Sequence, residues 1–152
     1  VAKTAPPVPI SSLLIHKVAK YVKQLSQAKR VYLVGSRSRH KYGRDLDLVV
    51  TVEDPALRGR NVTFKVVSAP PGTLSVNLFF ALFGEEEPAI LEYGLGADNR
   101  RWKAKAKAVG LRLNRYGLWR GKNLITNGMA EIARILDMPL KAHLVWSLEH
   151  PL

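Results

Sequence analysis

The chain contains no cysteine, which excludes disulfides and thiolate metal sites and suits a reducing compartment. No apolar run approaches the roughly 18 residues needed to span a bilayer. The opening Val1-Ala2-Lys3-Thr4-Ala5-Pro6-Pro7 is followed by no signal-peptide apolar region. There is no internal repeat. Together these absences lead us to expect an intracellular protein, cytoplasmic or nucleoid, with a viral origin left open. Acidic residues are scarce: 12 Asp plus Glu stand against 24 Lys plus Arg, a formal net charge of +12. Such an excess costs self-repulsion in the folded state, and a polyanionic partner explains it most naturally. Nucleic acid is the leading candidate; an anionic membrane surface or a merely soluble basic protein are the alternatives. The rest of the composition is that of an ordinary globular protein, and 152 residues can bury a real core in one unit or two small lobes.

Pro6, Pro7 and Pro9 make the first dozen residues an extended tail. Ser11 or Ser12 can then cap a helix through about Gln27, with Leu14, Val18, Tyr21, Val22 and Leu25 on one face and Lys17, Lys20 and Lys23 turned away. Val31 to Val34 reads as a short buried strand running into Gly35, and Asp45 to Val52 as a second. Further strands are expected at Val62–Val67 and Leu74–Leu82, separated by a turn at Pro70-Pro71-Gly72. After Gly84 the pattern becomes helical. Glu85-Glu86-Glu87-Pro88 opens one helix, and Asn99 to Val109 forms another, with Trp102, Ala106 and Val109 as its inner stripe. A hairpin around Gly121 and a last helix capped by Thr126 or Asn127 and closed by Pro139 complete the expectation. Trp119, Trp146 and Phe83 could stack on bases, but core packing is the expected role.

The chemistry gathers at Asp45-Leu46-Asp47. Residues i and i+2 of a strand point the same way, so the two carboxylates share one face while Leu46, Leu48 and Val50 enter the core. Carboxylates so spaced can hold a pair of divalent ions roughly 3.5–4 Å apart for in-line phosphoryl transfer. Oxygen ligands favour Mg²⁺, with Mn²⁺ as the alternative. An isolated D-x-D is more often a pair of solvent-facing aspartates, but the context here differs. The preceding strand ends in Gly35-Ser36, where glycine permits a tight turn and close approach by phosphate. Arg37, Arg39, Lys41 and Arg44 crowd the intervening loop. The P-loop pattern is absent. Arg100, Arg101, Lys103, Lys105 and Lys107 make the helix after Asn99 strongly basic, with Lys103 and Lys107 on its accessible face; a solvated charged helix and a phosphate-binding one are both consistent with this run. None of the four histidines has metal-ligand spacing; His40, in the basic loop, is the one of interest.

Gly-Ser, a basic loop and D-x-D on the next strand resemble the mark of the polymerase-beta-like nucleotidyltransferase superfamily. The stretch Leu91-Glu92-Tyr93-Gly94-Leu95-Gly96, then Asn99, Lys103, Ala106 and Gly110, then Leu113-Asn114-Arg115-Tyr116-Gly117-Leu118, is similar to the family X DNA polymerases within it, nearest the minimal viral type without amino-terminal accessory domains. The resemblance covers about residues 31 to 140. It implies an α+β fold: a polymerase-beta-like palm with a small mixed β-sheet, plus a C-terminal helical lobe. The expected organisation is a flexible tail (1–12), a palm-like catalytic domain (13–84) and a nucleotide- and DNA-binding lobe (85–152). Asp45 and Asp47 would bind two Mg²⁺ ions. Gly35, Ser36 and Arg39 would contact the triphosphate, and Tyr93 and Gly96 would lie beside the nucleotide sugar. Asn99 and Lys103 would reach the nascent base pair, with Arg100 and Lys107 on DNA. The implied partners are a dNTP and primer-template or gapped DNA; the implied state is a monomer away from membranes.

Two departures matter. Gly94 and Leu95 replace a Phe-Thr pair of the family. On the third strand the family's catalytic aspartate is replaced in Val76-Asn77-Leu78-Phe79, where an amide cannot act as a base and is a weaker, neutral metal ligand. Asn77 is either a deliberate substitution that traps a substrate complex or the mark of a natural pseudoenzyme or relocated chemistry. The expected activity is gap-filling addition of deoxynucleotides to a primer 3′ end, lost or weakened in this chain; the length leaves no room for a lyase domain. An RNA- or small-molecule-directed nucleotidyltransferase and a non-catalytic DNA-binding module are the rivals.

Overall fold

The computed structural model describes residues 8–9, 11–35, 42–43, 45–68 and 72–152. In chain order the elements are β1 (Val8–Pro9), α1 (Ser12–Ser26), β2 (Arg30–Val34), β3 (Tyr42–Gly43), β4 (Asp45–Val52), β5 (Asn61–Ser68), β6 (Gly72–Leu82), α2 (Glu86–Gly94), α3 (Asn99–Ala108), β7 (Arg112–Asn114), β8 (Gly117–Arg120), β9 (Asn123–Thr126), α4 (Met129–Leu136) and α5 (Ala142–Glu149). The fold is α+β. Its centre is a mixed sheet in the order β2-β4-β6-β5, in which β4 and β6 run parallel and the outer pairs antiparallel. Part of the expected tail is ordered as strand: Val8 and Pro9 pair with Gly43 and Tyr42.

Strand alternation gives this sheet two unlike faces. One carries Val31, Leu33, Leu46, Leu48, Val50, Val52, Leu74, Val76, Leu78 and Phe80, all buried against Ile15, Val18, Ala19 and Val22 of α1. The Ser11 hydroxyl starts that helix by accepting from the Leu14 N–H at 3.1 Å. The inner stripe of α1 is displaced by about one position from the expectation. Ile15 and Ala19 belong to it, while Tyr21 and Leu25 are exposed; Tyr21 lies edge-on to Phe64 of β5.

Among the described residues the opposite face is covered over half its length only. Tyr32, Val34, Val49 and Ala81 join a second core with Ile90, Leu91, Leu95, Trp102, Ala106, Leu118, Met129, Ile132 and Leu144. The change of composition at Gly84 is therefore a change of layer, since the later helices pack onto the sheet itself. Polar clasps reinforce the join: Arg58 makes a bidentate pair with Glu85 at 2.8 Å on each nitrogen and lies 3.8 Å over the Tyr116 ring, and Asn127 donates to the Gly84 carbonyl.

The second half departs from expectation in several places. The hairpin around Gly121 is one edge of a three-stranded sheet, β7-β8-β9, because Asn114 turns the chain at Arg115-Tyr116 as well, accepting from the Tyr116 N–H and the Trp119 indole. Helix α4 is capped differently: Gly128 holds the cap position and Glu87 of α2 accepts from the Met129 N–H, while Thr126 accepts from Gly128. Helix α5 was not anticipated; its short amphipathic run follows Pro139 too closely to be separated by periodicity. Val109, Phe83 and Trp146 are exposed rather than packed in the core. Val109 caps the end of α3, beyond its buried stripe, and Trp146 stacks on His150.

Candidate active site

The uncovered half of the second sheet face is where the polar strand residues collect. Asp45 and Asp47 project from β4, held in place by the fully buried Leu46 and Leu48 between and beside them. Parallel pairing sets Asp45 opposite Ser75 and Asp47 opposite Asn77 on β6; antiparallel pairing then sets Ser75 opposite Lys65 and Asn77 opposite Thr63 on β5. Two polar rows result, Asp45–Ser75–Lys65 and Asp47–Asn77–Thr63. In the second row the side chains form a chain of hydrogen bonds. The Thr63 hydroxyl donates to Asn77 Oδ1 at 2.8 Å, and Asn77 Nδ2 donates to Asp47 Oδ1 at 2.7 Å.

Asp45 is exposed and Asp47 half-buried. Burial raises the Asp47 carboxyl above the ordinary carboxylate value and the neighbouring Asp45 charge adds to this, while the bond from Asn77 pulls it down; the net direction is up. Gly35 at the end of β2 has φ +74 and meets Asp47 so closely that a Cβ there would overlap Oδ2 and lie 3.0 Å from Cγ. Glycine is required twice over, by conformation and by approach. Ser36 and Arg39, and with them Arg37, His40, Lys41 and Arg44, lie outside the described residues.

The residues expected beside the nucleotide come from the covering layer. Tyr93, half-buried at the end of α2, stacks on Phe79 of β6 with ring centroids 3.8 Å apart and planes 12° from parallel. Its hydroxyl accepts from Arg115 Nη1 at 3.1 Å, and the same nitrogen reaches the Gly59 carbonyl. Phe79 lies two positions beyond Asn77 on the same face, so this stack adjoins the polar rows. Gly96, exposed with φ +60, opens the short turn into α3, and Asn99 starts that helix with its Oδ1 buried and unpartnered. Arg100, Lys103 and Lys107 are exposed on α3, as expected, but Lys103 pairs with Glu92 at 2.9 Å.

Thr63, Ser75, Lys65, Phe79, Glu92 and Arg115 were not anticipated. For the first three a signal existed. The pairing of Ser68 with Gly72 across the turn, carried down the hairpin, brings Thr63 opposite Asn77 and Lys65 opposite Ser75. The partners of Arg115 and Lys103 depend on how the covering layer docks and leave no local trace.

Two carboxylates, one of them desolvated beside its like-charged neighbour, suit a hard divalent cation, which would relieve both the burial and the repulsion. Among the described residues no group of three His, Cys, Asp or Glu comes together. Arranged this way, the site can hold a cation against a phosphate chain on an open sheet face.

No curated protein sequence matches the chain. Among solved structures it is similar to polymerase beta of Leishmania infantum, solved as a ternary P/T complex, with a TM-score of 0.71 at 15% sequence identity over 91% of this chain and 76% of the other. The fold is thus polymerase-beta-like. Residues 15–105, more than half of the sequence and inclusive of both aspartates, match the nucleotidyltransferase domain, and the chain belongs to that family.

Proposed function

We propose that the chain carries a template-directed DNA polymerase of family X type, built to add deoxynucleotides to a primer 3′ end in gap-filling repair and weakened in turnover by Asn77. The reading rests on one observation above all: Asp45 and Asp47 stand on the open half of the sheet face with Asn77 in register beside Asp47. Asp45 and Asp47 would hold Mg²⁺, which when bound offsets the charge developing on the transferred phosphoryl group. Gly35 lets the phosphate chain approach the carboxylates, and Ser36 and Arg39 are its proposed donors. Tyr93, supported from behind by Phe79 and Arg115, offers a rigid surface to the sugar. Asn99 and Lys103 face the nascent pair, and Arg100 and Lys107 neutralise DNA phosphates. The +12 charge suits a primer-template or gapped duplex, and the protein acts as a monomer.

Deprotonation of the primer hydroxyl has no carboxylate at position 77 to receive the proton. The Asn77 amide donates to Asp47, so it offers no base there. That same bond favours a second reading, a pseudoenzyme that binds nucleotide and DNA without extending a primer. A primer-extension assay on templates differing in one base separates these readings when the chain is run beside Asn77→Asp. Template-dependent incorporation that rises at least tenfold in the variant supports the polymerase. Incorporation indifferent to the template base points to an RNA- or small-molecule-directed enzyme, and binding with no extension by either protein to the pseudoenzyme.

A further inference from the structure

The row Asp47–Asn77–Thr63 bears on how many cations the site can hold. A pair of divalent ions roughly 3.5–4 Å apart needs a carboxylate that gives one oxygen to each ion. Asp47 is the more buried of the two carboxylates, and its Oδ1 already accepts from Asn77 Nδ2 at 2.7 Å, leaving Oδ2 on the Gly35 side. The amide is oriented from the Asp47 end, and Thr63 holds its other end in place. A carboxylate only accepts, so the amide nitrogen must face Asp47, and the Thr63 hydroxyl donates to the amide oxygen at 2.8 Å. Turning the amide would set two acceptors against each other at Asp47. The hydrogens of Nδ2 therefore carry partial positive charge into the space beside Oδ1, where a second cation would approach.

We infer that this site binds a single divalent ion through Asp45 and Asp47, and that Asn77, positioned by Thr63, excludes the second. The inference rests on the reading of the site as a metal-dependent nucleotidyltransferase centre. Asn77 and Thr63 act as positioning residues in it. The chain would then retain a metal–nucleotide complex while lacking the cation on the primer side.

The test is a Mn²⁺ titration followed by electron paramagnetic resonance, on the full chain with one equivalent of a non-hydrolysable α,β-imido deoxynucleoside triphosphate. One ion per chain is expected, with the spectrum of an isolated Mn²⁺ and no second uptake at about ten times the saturating concentration, the lower end of what a neighbour of a metal ligand is worth. Asn77→Asp should take up two ions and give an exchange-coupled pair spectrum. A coupled pair in the unaltered chain would overturn the inference and leave the metal-dependent reading intact, with the Asn77 carbonyl acting as a ligand. One ion in both proteins would overturn the role of Asn77. No ion in the unaltered chain but binding in Asn77→Asp would overturn the inference alone, and no Mn²⁺ bound by either protein would sink the metal-dependent reading with it.

Discussion

Replacing Gly35 with alanine tests the link between the β2 turn and the carboxylate pair. The new Cβ acts in two ways. At φ +74 an L-residue carries a left-handed penalty of about 1–2 kcal/mol. The same atom overlaps Asp47 Oδ2 and sits 3.0 Å from Cγ, so the carboxylate must swing away. Swinging it off its rotamer costs about 0.5–1.5 kcal/mol. It also strands the half-buried Asn77 donor, worth about 1 kcal/mol or somewhat more. The sum is about 3–4 kcal/mol, a large share of the roughly 5–15 kcal/mol that holds such a domain together. Urea unfolding of the metal-free protein measures it, and a cycle with Asp47→Ala separates the parts. Without the carboxylate only the backbone penalty remains, so the two substitutions should be non-additive by about 1.5–2.5 kcal/mol. Additivity to within about 0.5 kcal/mol would show that Gly35 is required for conformation alone and that its approach to Asp47 is incidental.

Two further tests address the charges. Because the Asp47 carboxyl is raised in the folded state, the folded protein holds the proton more tightly than the unfolded chain. The stability it contributes is full below the ordinary carboxylate value and is lost as pH rises through the raised one. Metal-free protein should therefore lose stability over that interval. Asp47→Asn should flatten the loss in that interval and gain about 0.5–2 kcal/mol at neutral pH, as removal of a functional strain often does; a variant less stable than the parent at neutral pH contradicts this. On α3, Lys107→Ala should reduce the slope of log K against log salt for duplex DNA by about 1. Lys103→Ala should reduce it less, because Glu92 already balances that ammonium at 2.9 Å; equal reductions would mean that DNA breaks the pair without cost.

Much of the sheet was legible because its residues carry local information. Val31 to Val34 and Asp45-Leu46-Asp47-Leu48 announce a buried strand and a half-buried one, while the turn expected at Pro70-Pro71-Gly72 falls largely outside the described residues. The family likeness sets Asn77 with the aspartates, and in the sheet it lies opposite Asp47. What sequence could not supply is docking. Lys103 is expected to stand clear, yet it meets Glu92 of α2, a partner on another helix that no helical spacing encodes. Tyr21 and Leu25 share a helical face with Val18 and Val22 but are exposed, the buried stripe running through Ile15, Val18, Ala19 and Val22 instead. The substitution pattern at Tyr93 is also relational: its support, Phe79 and Arg115, comes from two distant segments that meet only after the covering layer has closed.

One signal of the site's position is written in the strands themselves. A strand buried on one face alternates, and a strand buried on both is continuously apolar. β4 reads Asp-Leu-Asp-Leu and then Val-Val-Thr-Val; β6 alternates through Asn77-Leu78 and then runs Phe79-Phe80-Ala81-Leu82. The two transitions fall in register, Leu48 beside Leu78 and Val49 beside Phe79. They mark the line at which the covering helices end and the open face begins. Polar substitution should therefore be cheap on one side of that line and costly on the other. Ser75→Asn, in the open rows, should change stability by less than about 0.5 kcal/mol. Val49→Asn, on the same face one step past the line, buries an amide in a fully covered position and should cost about 2–5 kcal/mol in urea unfolding. Comparable costs at the two positions would mean that the strand pattern does not mark the edge of the site.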